Sequence, residues 1–142
     1  MDKLNKNSEL GVTLIKHHIK DLSFENPQSI LDNNAENNNN NNISESVNFI
    51  YKPFDKDFFS IIFKYSCECS SKTNAKKLFL LELDYFGFFK IMNNKSDNQA
   101  ELTKRGAQLI FPFVKSIVED LSVKGGSLPI TLRNLDFDLI KA

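Results

Sequence analysis

Phe59-Ser60-Ile61-Ile62-Phe63-Lys64-Tyr65-Ser66-Cys67-Glu68-Cys69-Ser70 decides the fold of this chain. Its odd positions are all apolar, and its even positions are polar except for Ile62. Such an alternation reads as a β-strand with one face in a core and the other facing out. Ser70 to Asn74 has turn composition and predicts a hairpin. Leu78 to Ile91 is then the return strand. Its odd face, Phe79, Leu81, Leu83, Tyr85, Phe89 and Ile91, is apolar apart from Gly87. Its even face is mixed, with Leu80, Glu82 and Asp84 followed by Phe86 and Phe88. Leu80 beside two carboxylates is a candidate docking patch. The two outward Phe residues predict a cover, either a helix or another subunit.

Working outward, Gly11 to Phe24 reads as a strand in which Ile15 and Ile19 share a face with His17. Leu22 and Phe24 then continue at the opposite parity, which requires a bulge or break near Lys20-Asp21. Pro27 ends the pairing because it donates no backbone hydrogen bond. Asn33 to Asn42 is low in complexity and has almost nothing apolar to bury. A flexible, Asn-rich crossover loop is expected over residues 33–45. Val47, Phe49 and Tyr51 predict a short half-buried strand. Phe111 to Lys124 reads as a long helix, with Pro112 in its first turn and Phe113, Val114, Ile117, Val118 and Leu121 at helical spacing. Gly125-Gly126 ends it, and Asp136 is placed to cap a short last helix, Phe137 to Lys141. The expected architecture is α+β, a four-stranded antiparallel sheet with one long and one short C-terminal helix. Residues 1–10 are expected to be a disordered tail, and 11–142 a single domain.

With 142 residues the chain suits one domain and can bury a core. Basic and acidic residues balance at 18 each, which argues against nucleic acid and against a polybasic membrane contact. The 13 Phe residues exceed what so small a core can hide, so an oligomer interface or a ligand groove is expected. No apolar h-region of a signal peptide or span-length apolar run is seen, and a cytoplasmic protein is expected. Cys67 and Cys69 share a strand face and are read as free core thiols. His17 and His18 point to opposite faces and cannot readily share a metal ion. Glu82 and Asp84 share a face, but no third partner or pocket is evident for acid–base chemistry. Neither a phosphate loop nor a hydrolase or zincin motif occurs. No enzyme, cofactor or metal is expected.

Three stretches carry a family resemblance. Ile19-Lys20-Asp21-Leu22-Ser23-Phe24-Glu25-Asn26-Pro27 resembles the motif that opens the core of the SecB export chaperones. Ile110-Phe111-Pro112-Phe113-Val114-Lys115 resembles that family's helix-opening Phe-Pro segment. Gly125-Gly126-Ser127-Leu128-Pro129, with Asp136-Phe137, resembles the Gly-x-x-Pro and Asp-Phe that follow it.

The resemblance implies an ATP-independent chaperone that binds unfolded preproteins and passes them to the translocase motor SecA. It implies a homotetramer, a dimer of dimers with the long helices between the dimers. Family positions that contact the zinc-bearing tail of SecA match Asp21, Glu25, Leu80 and Glu82. The family's client groove matches Val47, Phe49, Tyr51, Phe137 and Ile140.

There are departures. Gly106-Ala107 stands where Cys-Pro is usual, and Lys115 where Arg is usual. The Asn run replaces a loop richer in Pro and apolar residues. Relatives carry a longer acidic tail beyond the position of Ala142. Two alternatives accompany the export reading. One is a SecB-like chaperone dedicated to a single client, such as a toxin–antitoxin pair. The other is an oligomeric adaptor whose aromatic surface only builds an interface.

Overall fold

A computed structural model of the chain describes residues 11–27, 41–72, 76–92, 98–126, 130 and 132. Four strands, β1 (Val12–Glu25), β2 (Asn41–Pro53), β3 (Phe58–Ser71) and β4 (Lys77–Ile91), precede one helix, α1 (Gln99–Lys124). The strands form one antiparallel sheet in the order β1-β4-β3-β2. Three strands meander, and β1 returns beside β4, so β1 and β2 are the two edges. The expected tail 1–10, most of the Asn-rich loop and the short helix Phe137 to Lys141 lie outside the described residues.

The two strands read first behave as expected. Phe59, Ile61, Phe63, Cys67, Leu81, Leu83 and Phe89 are all essentially inaccessible. The hairpin between them closes through the Ser71 amide, which donates to the Lys76 carbonyl at 2.9 Å. Cys67 and Cys69 are buried free thiols.

The expected loop is corrected at its end. Asn41 to Glu45 belong to β2, paired with Ser71 through Cys67 of β3. Asn is a poor strand residue, yet here it sits on an exposed edge where a long neighbour offers every backbone partner. Context outweighs propensity in such a place.

Strand β1 carries two register shifts. One lies between Ile19 and Asp21, where the change of parity requires it, and a second lies between Leu14 and Lys16. Ile15 is therefore unpaired and 52% exposed, and does not share a face with His17 and Ile19 as expected. The outcome is that Val12, Leu14, His17, Ile19, Leu22 and Phe24 oppose the core-facing residues of β4.

The helix begins earlier than expected. Asn98 caps it, its side-chain oxygen accepting from the Ala100 amide at 2.9 Å. Glu101 adds a carboxylate to the first turn. Leu102, Thr103, Gly106, Ala107 and Ile110 are buried in this added stretch. Pro112 is thus inside the helix rather than in its first turn. It is exposed, so water can serve the Gln108 carbonyl that its missing N–H leaves unpaired.

The helix covers one face of the sheet only. Gly106 allows the close approach. A Cβ there would collide with Ile61, and would lie 3.1 Å from the Phe89 ring. At the far end, Gly126 takes φ +84° to end the helix, and Gly125 faces the ring of Phe24, leaving no room for a side chain. Asn26 Nδ2 donates to the Gly125 carbonyl at 2.7 Å. The chain then returns to the core, where Ile130 and Leu132 are buried and the Ile130 amide donates to Ser122 Oγ at 3.1 Å.

Two outcomes follow. Gly125→Ala should lower stability by about 1–3 kcal/mol in urea unfolding through overpacking against Phe24. In a Phe24→Leu background the same change should cost less, since the two sites share one contact. Burial pushes the Cys67 thiol from 9.0 up to about 11, and raises Cys69 as well. The fold accepts the protonated thiol, so this stability is full below about pH 9 and is lost as pH rises through about 11. The urea midpoint should fall between pH 8 and pH 10.5, and fall less in Cys67→Val.

Candidate functional site on the open face of the sheet

Because α1 takes one face, the register decides what the other face shows. Directly paired residues share a face, so the open face is built from rows running from β1 to β2. The first is Glu25, Leu80, Glu68 and Ser44, followed by Ser23, Glu82, Ser66 and Ser46. The third is Asp21, Asp84, Lys64 and Asn48. Next come His18, Phe86, Ile62 and Ile50, and then Lys16, Phe88, Ser60 and Lys52.

Asp21, Glu25, Leu80 and Glu82 therefore meet in three adjacent rows of one face. Glu25 is directly opposite Leu80, and Glu82 is opposite Ser23, between the two motif carboxylates. Asp21, Glu25 and Glu82 are exposed, and Leu80 is half-buried. This cluster depends on the bulge at Lys20. Without it Asp21 and Glu25 would take the parity of Ile19 and point at the helix.

The charges around this cluster are uneven. Lys64 holds Asp84 at 2.9 Å, and Lys77 lies 3.6 Å from Glu68. Asp21, Glu25 and Glu82 form no ion pair with another described residue. Asp21 also sits directly opposite Asp84, an arrangement of like charges that costs stability. A depression of about 370 Å³ lies here, lined by Asp21, Ser46, Asn48, Lys64, Ser66, Glu82 and Asp84, with Tyr65 at its base. Its β2 and β3 residues were not singled out from the sequence. Their polar alternation was visible, but nothing in the sequence set the register that brings them beside β1. Glu82 and Asp84 do share a face as expected, and Lys64 neutralises one of them. Among the described residues no group of three or more His, Cys, Asp or Glu is placed to hold a metal ion.

The second predicted set lies on the covered face. Val47, Phe49 and Tyr51 are half-buried on β2, opposite Tyr65, Phe63 and Ile61. Phe49 meets Phe63 edge-on at 4.7 Å, and Tyr51 stacks on Phe59 at 5.5 Å. They form an apolar stripe along a sheet edge. Phe137 and Ile140 lie outside the described residues. Tyr65 donates from its hydroxyl to Glu45 at 2.8 Å, and burial, with Cys67 and Glu45 beside it, raises its pKa well above the ordinary phenol range.

His17 and His18 point to opposite faces as expected. His17 Nδ1 lies 2.5 Å from the Tyr85 hydroxyl, and its ring lies 4.2 Å from that of Phe113. His18 stacks on Phe86 at 4.9 Å on the open face. No described helix is long and apolar enough to cross a membrane.

Comparison with known proteins agrees with these features. The family model described as preprotein translocase subunit SecB matches residues 5–141. A protein-export protein SecB of Orientia tsutsugamushi is 31% identical over 138 residues, covering 92% of this chain and 81% of its own. The protein of the same description from Roseobacter denitrificans is 34% identical, covering 84% and 72%. Among solved structures, a Mycobacterium tuberculosis SecB-like chaperone in complex with an antitoxin peptide superposes with a TM-score of 0.68. It is 10% identical and covers 88% of this chain and 91% of its own, a likeness of fold. With the motifs, the two-faced sheet and these relatives in agreement, the chain belongs to the SecB family of protein-export chaperones.

Proposed function

We propose that the chain is an ATP-independent cytoplasmic holdase that keeps unfolded preproteins competent for export and delivers them to SecA. The observation that carries this reading is the open-face cluster of Asp21, Glu25, Leu80 and Glu82. Three carboxylates without an ion-pair partner among the described residues share three adjacent rows with a half-buried Leu, on a face that no described element covers. A basic, zinc-bearing SecA tail suits such a surface through charge attraction and one apolar contact.

Clients have no fixed shape, so the surface that holds them must work through apolar burial rather than a code. The stripe of Val47, Phe49 and Tyr51 supports that role, with Phe137 and Ile140 proposed to complete the groove. Each large side chain that a client buries contributes about 1.5–3 kcal/mol, and several weak contacts on one long chain add as avidity. Assembly into a dimer of dimers would multiply these contacts. Ile19, Leu22 and Phe113, each between 37% and 43% exposed on the helix side, are apolar surface that such an assembly would use.

A chaperone dedicated to one client is the second reading, favoured by the fold it shares with the mycobacterial protein. The export reading is preferred because the acidic cluster serves no evident purpose in holding an apolar client.

Calorimetric titration with a zinc-loaded SecA C-terminal peptide tests the proposal. The folded protein should bind, binding should weaken as salt rises, and Glu82→Lys should weaken it by about tenfold or more. Absence of binding by the folded wild type would favour the dedicated chaperone. Separately, Tyr51→Ala should reduce suppression of client aggregation in a light-scattering assay. A Glu82→Lys protein should suppress it as well as the wild type does.

A further inference from the structure

The open face has a second half. Beyond the row of Asp21, Asp84, Lys64 and Asn48 it turns apolar. Phe86, Ile62 and Ile50 form the next row. Phe88 follows, with Phe58 stacked on it at 5.5 Å and Phe54 edge-on at 5.1 Å. Ile50 and Phe54 are 46% and 55% exposed. Of the two covers expected, a helix or another subunit, no described helix lies here, since α1 packs on the opposite face; among the described residues His18 stacks on Phe86 and the remaining rings pack on one another. An apolar cluster left partly in water is a mark of a contact surface.

Lysines outnumber carboxylates on the rim of this half, where Lys16, Lys52, Lys56 and Lys90 stand against Asp55 and Asp57 of the β2–β3 turn. Lys52 lies 5.8 Å from the Phe54 ring centre, and Lys90 lies 5.8 Å from that of Phe58. The two halves lie on the same strands with no described element between them. From Glu82 to Phe88 the distance along β4 is about 20 Å, the span of about six extended residues.

We infer that the open face is one continuous docking surface for a single extended peptide, basic at one end and apolar about six residues away. The inference rests on the docking role proposed above for the acidic end, and it supplies the other half of the ligand. The basic end meets Asp21, Glu25 and Glu82. The apolar end lies on Phe86, Phe88 and Ile50. Lys52 and Lys90 repel a peptide laid the other way round, so the charges fix its direction as well as its affinity.

Titration with three synthetic peptides of about 14 residues tests this. One carries a Lys cluster followed by Gly and Ser. The second adds two Leu residues six positions from the cluster. The third has the composition of the second with the Leu residues next to the Lys cluster. The second should bind about tenfold more tightly than the first and clearly better than the third. Ile50→Ser and Phe88→Ser should each reduce that gain while leaving binding of the first peptide unchanged. The Ile50 change, on an exposed edge position, keeps the test valid if Phe88→Ser does not fold. Equal binding of the first two peptides, or a gain that survives both substitutions, overturns the inference and leaves the acidic docking role intact. Failure of the first peptide to bind at low salt also overturns the inference, while the docking role stands or falls with the zinc-loaded SecA peptide.

Discussion

The bulge at Lys20 is the constraint on which both faces of the sheet depend. Strand β1 must supply Leu22 and Phe24 to the core and Asp21 and Glu25 to solvent. His17 and Ile19, at the parity of those carboxylates, must also face the helix side. A regular strand cannot do both, because side chains alternate strictly. One extra residue between Ile19 and Asp21 resolves the conflict. The earlier shift at Ile15 does the same for Leu14 and His17. The local break in pairing costs one unpaired residue at each place and yields a strand that changes faces twice.

What secures the bulged strand is its contact with the far end of the chain. Phe24 stacks on Phe79 at 5.9 Å and packs against Gly125, and Asn26 holds the Gly125 carbonyl. The first motif and the glycine pair are thus two sides of one contact, although 99 residues separate Asn26 from Gly125. The ring supplies burial worth about 1.5–3 kcal/mol, and the amide satisfies one of the carbonyls that a helix end leaves open. The acidic open face and the helix terminus are therefore linked through β1.

Much of this was readable in the residues. β3 and β4 declare themselves by strict alternation, and the change of parity before Leu22 announces the second bulge. The first bulge is silent, because Ile15 is as apolar as Leu14 before it and only its lack of a partner reveals it. The start of β2 is hidden by Asn residues, whose weak propensity says nothing of the partner waiting on β3. The first half of α1 is masked by Lys104, Arg105 and Gly106, and Pro112 imitates a helix start. The four proposed docking residues could be named from the motif and the return strand. Their common face could be inferred only in part, since the pairing of Ser23 with Glu82 is set by the register. The polar floor contributed by Ser46, Asn48 and Lys64 required the fold itself, as did the apolar second half of the face.

Nuclear Overhauser contacts between β1 and β4 would test the bulged register most directly. The account predicts cross-strand contacts of Asp21 with Asp84, Ser23 with Glu82 and His18 with Phe86, with Phe24 protons close to Gly125. An unbroken ladder in which Lys20 faces Asp84, with Asp21 in contact with α1, would contradict it. The carboxylates would then lie on the covered face, and no docking surface of this kind would exist.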